Sequence, residues 1–100
     1  MGLERKMFDV LYSGKKLLML HLELTNKPGA LDNVLRVFSR LSINVISVSA
    51  VGAPDEATGD VTLIADVSNM DDIRRLINEL HLVNDIRRMR AMVLTATEYL

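Results

Sequence analysis

Leu17-Leu-Met-Leu-His-Leu-Glu-Leu-Thr-Asn-Lys-Pro-Gly-Ala-Leu31 decides the fold of this chain. Leu18, Leu20, Leu22 and Leu24 fall on one face of a period-two pattern and Met19, His21, Glu23 and Thr25 on the other, which predicts a strand over 17–25 with its leucine face in the core. Leucine is a good helix former, but strict alternation ending in Asn-Lys-Pro-Gly outweighs that preference. The period then changes. From Pro28 to Leu41, the residues Leu31, Val34, Leu35, Phe38 and Leu41 form one helical stripe opposite Asp32, Asn33, Arg36, Ser39 and Arg40, so an amphipathic helix lies here on something apolar. Between strand and helix, Pro28 suits a first helical turn and Gly29 lets a ligand approach the backbone. The first amides of any helix lack intrahelical partners and carry the positive end of its dipole, so the turn suits a small anion such as a carboxylate. The plainer reading is that Asn26 caps the helix and Pro-Gly only shapes the turn.

Ile43 to Ala53 is rich in β-branched residues, Pro54 to Gly59 supplies turn chemistry, and Asp60 to Val67 follows as a third strand, so the pair reads as a hairpin. Ser68-Asn69 then offers a cap, with acids in the first turn and a second helical stripe of Met70, Ile73, Leu76, Ile77 and Leu80. Asp71 can meet Arg75 one turn on. Val83-Asn-Asp-Ile86 leads into a fourth strand, where Met89, Ala91 and Val93 alternate against Arg88, Arg90 and Met92. The order is βαββαβ. With short connections and right-handed crossovers it predicts an α+β, ferredoxin-like domain: a four-stranded antiparallel sheet, strands ordered fourth, first, third, second, with both helices on one face. The domain spans 17–95, between an N-terminal arm over 1–16, whose Met7-Phe-Asp-Val-Leu-Tyr12 cluster is expected to pack on it, and a tail over 96–100.

A chain of 100 residues, 49% hydrophobic, holds one domain with a real core. Its 12 basic and 13 acidic residues balance to a net charge of −1, which gives no electrostatic reason to bind nucleic acid or an anionic membrane surface. Cysteine is absent, which excludes disulfides, thiolate metal sites and cysteine nucleophiles and fits a cytoplasmic protein. Neither a signal-peptide run nor a membrane span is expected. Catalysis has little to stand on. His21 sits beside Glu23 on the helix-free face and His81 near the end of the second helix; Glu23 can pair with Arg88 or Arg90 across strands, and no nucleophile, metal cluster or phosphate loop accompanies them. No cofactor is called for.

The edges carry more information. Arg87, Arg88 and Arg90 guard the fourth strand against further pairing, whereas Ile43-Asn-Val-Ile-Ser-Val-Ser-Ala-Val51 holds no Lys, Arg, Asp, Glu or Pro. An edge strand of that composition invites its own copy about a two-fold axis, and a homodimer through the second strand is expected. The alternative is that the N-terminal arm covers this edge within one subunit.

Thr25-Asn-Lys-Pro-Gly-Ala-Leu31, Val34-Leu-Arg-Val-Phe-Ser-Arg-Leu41 and Ile43-Asn-Val-Ile-Ser47 together resemble an ACT domain, the small-molecule sensing module attached to many enzymes of amino-acid metabolism. Within that superfamily, Val37-Phe-Ser-Arg40, Asn44-Val-Ile-Ser47 and Leu80-His-Leu-Val-Asn-Asp-Ile-Arg-Arg-Met89 are most similar to the regulatory small subunit of acetohydroxyacid (acetolactate) synthase. The resemblance implies a non-catalytic subunit that binds valine, leucine or isoleucine and passes feedback inhibition to a separate catalytic subunit using thiamine diphosphate. It also implies a site in which Asn26, Gly29, Ala30 and Leu31 of one subunit face Asn44, Val45 and Ile46 of its dimer mate. The chain departs from the pattern at Ser42, where members often carry Gly, and lacks the second domain of many small subunits. The physics of the residues agrees with the placement: helix amides at 29–31 suit an α-carboxylate, the Asn26 and Asn44 amide oxygens can accept from an α-ammonium, and Leu31 and Ile46 can surround an aliphatic side chain. The reading set against it is an ACT-like assembly module, or a regulator of another enzyme, with no branched-chain ligand; an enzyme of this fold is a distant third.

Overall fold

The leucine alternation forms the strand it predicts. In the computed structural model, which describes residues 15–95, β1 (Lys16–Thr25) is followed by α1 (Ala30–Arg40), β2 (Asn44–Val51), β3 (Thr58–Asp66), α2 (Arg74–His81) and β4 (Ile86–Thr95). The proposed packing of Met7 to Tyr12, and the tail over 96–100, lie outside the described residues. The four strands form one antiparallel sheet in the order β2-β3-β1-β4, the ferredoxin-like arrangement expected from the order of elements. Leu18, Leu20, Leu22 and Leu24 are buried, and so are Val61, Leu63 and Ala65 beside them on β3. Val34, Val37 and Phe38 of α1 and Leu76 and Leu80 of α2 complete the core.

Both helices begin later than their sequence suggests. Pro28 stands outside α1, because Gly29 takes φ +89° at the N-cap and the helix starts only at Ala30. Its buried face is Ala30, Val34, Val37 and Phe38, while Leu31, Leu35 and Leu41 are half-buried at the core's margin, so the stripe is rotated toward Val37. Ser68 does not cap α2; its hydroxyl accepts the Lys16 N–H at 2.8 Å, fastening the start of β1 to the end of β3. Met70 and Ile73 precede the helix, no acid lies in its first turn, and the ion pair at its start is Asp72 with Arg74 at 2.8 Å rather than Asp71 with Arg75. Asp72 also accepts the Arg74 backbone N–H at 2.9 Å, which orders the chain just ahead of α2.

Ser42, between α1 and β2, has φ +57°, the left-handed conformation that glycine adopts without strain. β2 is an outer strand, as expected, and its pairing with β3 shifts between Val45 and Ser47, leaving Ile46 at a bulge. Arg88 of β4 is directly opposite Glu23, yet no ion pair joins them among the described residues.

Candidate functional site

Antiparallel pairing of β1 with β3 sets Leu24 opposite Gly59 and Thr25 opposite Thr58, so the turn after β1 lies against the β2–β3 hairpin. A cavity of about 160 Å³ opens there, walled by Asn26, Lys27, Ala30 and Leu31 on one side and by Ala50, Val51, Gly52 and Asp60 on the other. Where the two hairpin strands approach, a Cβ at 59 would stand 3.2 Å from the Val51 carbonyl oxygen, a tight contact that glycine avoids.

Asn26 holds this wall together. Its Nδ2 donates to the Ala53 carbonyl at 2.7 Å and the Glu56 carbonyl at 3.0 Å, and its backbone N–H donates to Ala57 at 3.0 Å. Asn26 therefore does not cap α1, which has no side-chain cap. Its Oδ1 lies beside Gly52, where an added Cβ would stand 3.4 Å from it. At the start of α1 the Ala30 N–H reaches the Lys27 carbonyl at 3.3 Å, whereas the N–H groups of Leu31 and Asp32 find no acceptor among the described residues. These are the orphan donors every helix start carries, and here one belongs to a residue of the cavity wall.

The turn is anchored from below by Asp85, which has 6% exposure. Its carbonyl accepts the Thr25 N–H at 2.8 Å and the Thr25 hydroxyl at 3.3 Å. Its carboxylate accepts Asn33 Nδ2 at 2.8 Å and lies 3.2 Å from Lys27 Nζ. Asn33 and Lys27 hold this carboxyl below the usual carboxylate range. At the other end of the sheet Ser68, through its hydroxyl and backbone N–H, holds Asp66 low in the same way, aided by Lys15 at 3.8 Å.

Of the residues singled out in the sequence, the structure brings Asn26, Ala30 and Leu31 together at the cavity. Gly29 is next to them, with open space around the position of a Cβ. Asn44, Val45 and Ile46 are not at this cavity within one chain: Asn44 pairs with Asp66, at the opposite end of β2 from Val51, which pairs with Asp60. At the rise of an extended strand that separation is roughly 20 Å. The sequence reading missed Lys27, Asp85 and the hairpin residues Gly52, Gly59 and Asp60. The hairpin was recoverable from the predicted strand order; nothing local marks Asp85, whose partners are 52 and more residues away. His21 is exposed, its Nδ1 sharing a hydrogen bond of 3.1 Å with the Thr62 hydroxyl, and no group of three potential metal ligands occurs among the described residues. No helix there is long and apolar enough to cross a membrane.

Residues 17–90 match the ACT domain family. The chain belongs to that family. An ACT domain is typically a regulatory, non-catalytic domain that binds amino acids. The ACT fold described above is similar to the ACT domain of GTP pyrophosphokinase from Chlorobium tepidum, with 20% identity and a TM-score of 0.61 over 76% of this chain and 96% of that one. It is also similar to the regulatory subunit of aspartate kinase from Thermus thermophilus in its ligand-free form, at 12% identity and a TM-score of 0.57 over 80% of this chain and 50% of that one. A third similarity is to prephenate dehydratase from Staphylococcus aureus, at 21% identity and a TM-score of 0.57 over 81% of this chain and 30% of that one. At these identities the structural likeness speaks for the fold alone. No curated protein matches the chain.

Proposed function

We propose that this ACT protein is a non-catalytic regulatory subunit that binds an amino acid between two copies of itself and modulates a separate catalytic subunit. The observation that carries the reading is the cavity of about 160 Å³ at the start of α1, whose wall includes Asn26 and Leu31, the latter a residue with an unpaired helix-start N–H. That is well below the roughly 300 Å³ at which drug-sized pockets begin, and suits a small metabolite. Helix amides are donors for an α-carboxylate, and Leu31, Ala50 and Val51 supply apolar wall.

The dimer supplies the rest of the proposed site. Antiparallel pairing of β2 with its own copy about the strand's midpoint sets Asn44 opposite Val51, so the Asn44, Val45 and Ile46 that are remote within one chain come to the partner's cavity. Val51, 72% exposed at the end of an edge strand without charges, fits burial there. More narrowly, we propose a branched-chain ligand, valine, leucine or isoleucine, and an acetolactate synthase as the catalytic partner, on the resemblance of residues 37–40, 44–47 and 80–89 to that enzyme's small subunit. An assembly module without ligand would use the same edge but gives no account of a cavity beside a helix start with unpaired N–H groups.

A thermal-shift panel of the twenty amino acids tests the reading, because a ligand that binds only the native state stabilises it by about 2.7 kcal/mol at a hundred times its Kd. A rise in melting temperature with a branched-chain amino acid is expected. No rise with any of them at millimolar concentration, in a protein that sediments as a dimer, leaves the assembly module as the better reading.

A further inference from the structure

Lys27 is the cation of the cavity wall, and it is not free to meet a ligand. Its Nζ lies 3.2 Å from Asp85 Oδ1. The two members of the pair are unequal: the Asp85 side chain is 9% exposed and that of Lys27 is 58% exposed. Asn33 Nδ2 at 2.8 Å fixes the carboxylate, and two bonds from Thr25 fix the Asp85 carbonyl, so the anion is anchored and the flexible lysine comes to it.

We propose that Asp85 is a specificity-determining residue: by holding Lys27 against itself it denies the cavity a free cation, so that the site takes amino acids with uncharged side chains and rejects acidic ones. The inference rests on the amino-acid-binding reading above. Asp60, the other charged residue of the wall, carries the same sign as an acidic ligand and adds to the rejection. An acidic side chain entering the cavity therefore leaves water without gaining a partner, which is the costly case of charge burial. Specificity of this kind is built from an interaction refused to the wrong ligand as much as from contacts to the right one. Asparagine at 85 removes the charge and keeps both the shape and an acceptor for Asn33, while the carbonyl bonds to Thr25 are unaffected. The expected result of that change is a Lys27 released to pair with a ligand carboxylate.

Calorimetric titration of the full chain with valine and with aspartate tests this in three proteins: the parent, Asp85→Asn and the double variant Asp85→Asn/Lys27→Met. The parent should bind valine and not aspartate. Asp85→Asn should raise the aspartate-to-valine affinity ratio about tenfold, the scale of one hydrogen bond to a charged group, and the double variant should lose that gain. Lys27→Met, at the exposed end of the pair, is the reciprocal test, and it remains available if Asp85→Asn folds poorly. It removes a cation already withheld from the cavity, so valine affinity and the rejection of aspartate should stay as in the parent, and a selective loss of valine affinity, showing that Lys27 meets the ligand carboxylate, overturns the inference. Equal weakening of all ligands in either single variant, or a gain for aspartate that survives loss of Lys27, overturns the inference and leaves amino-acid binding standing. A parent that binds none of the twenty amino acids overturns both.

Discussion

Two residues with positive φ flank α1 and give paired predictions of opposite sign. At Gly29, with φ +89°, any L side chain pays for a left-handed backbone; alanine there costs about 1–2 kcal/mol from strain. The loss of chain freedom in the unfolded state offsets about 0.4–1 kcal/mol of this. No clash adds to the cost, since an added Cβ meets nothing within 4 Å. The net expectation for Gly29→Ala is destabilisation of about 1 kcal/mol, or roughly 4–8 °C in Tm for a domain of this size. Asparagine, which tolerates the left-handed region, should cost less than alanine, and valine, branched at Cβ, should cost more. At Ser42, exposed and with φ +57°, the argument runs in reverse: Ser42→Gly relieves the strain, regains the unfolded-state entropy cost, and should be neutral to stabilising by about 1 kcal/mol. Urea denaturation of the five proteins, fitted with a common m-value, measures the series. The reasoning fails if Gly29→Ala is at least as stable as the parent, if asparagine and valine at 29 behave alike, or if Ser42→Gly destabilises as Gly29→Ala does.

Leu63, fully buried in the central strand β3, should cost about 2–5 kcal/mol when changed to alanine, read as a fall in the urea midpoint. Ser49→Lys, at an exposed position of the β2 edge, should change the stability of the folded monomer by less than about 0.5 kcal/mol while shifting sedimentation from dimer to monomer. A dimer that persists unchanged would argue against pairing through β2. On acidification, Asp66 and Asp85, whose folded-state carboxyls are held low by Ser68 and by Asn33 with Lys27, bind protons more weakly than in the unfolded chain. Their contribution is present above the ordinary carboxyl pKa of about 3.9 and is lost as pH falls through their lower folded values. Urea midpoints taken between neutral and acid pH should therefore drop below that point, and the drop should be shallower in Asp85→Asn.

What was legible in the sequence and what was not divides along one physical line. Periodicity is a local property, and it sufficed for the β1 leucine face, the hairpin, the strand order and the uncharged edge. The helix starts were misread because their causes are not local. Glycine permits either sign of φ, so the residues around Gly29 could not say that the backbone turns left-handed there and excludes Pro28 from α1. Ser68 reads as a cap by type, yet its oxygen serves Lys16, 52 positions earlier. The candidate site is made largely of such distant bonds. Asn26 was marked by its turn but its carboxamide is committed to residues 53 and 56, and Asp85 gathers Thr25, Lys27 and Asn33 from across the chain. A turn that must present backbone amides at a fixed place gains nothing from its own short sequence, which has too few contacts to order it against conformational entropy. It is ordered by neighbours contributed by the hairpin on one side and the approach to β4 on the other. The residues that position the site are therefore the ones a local reading passes over, and their substitution is the more incisive probe of function than substitution in the turn itself.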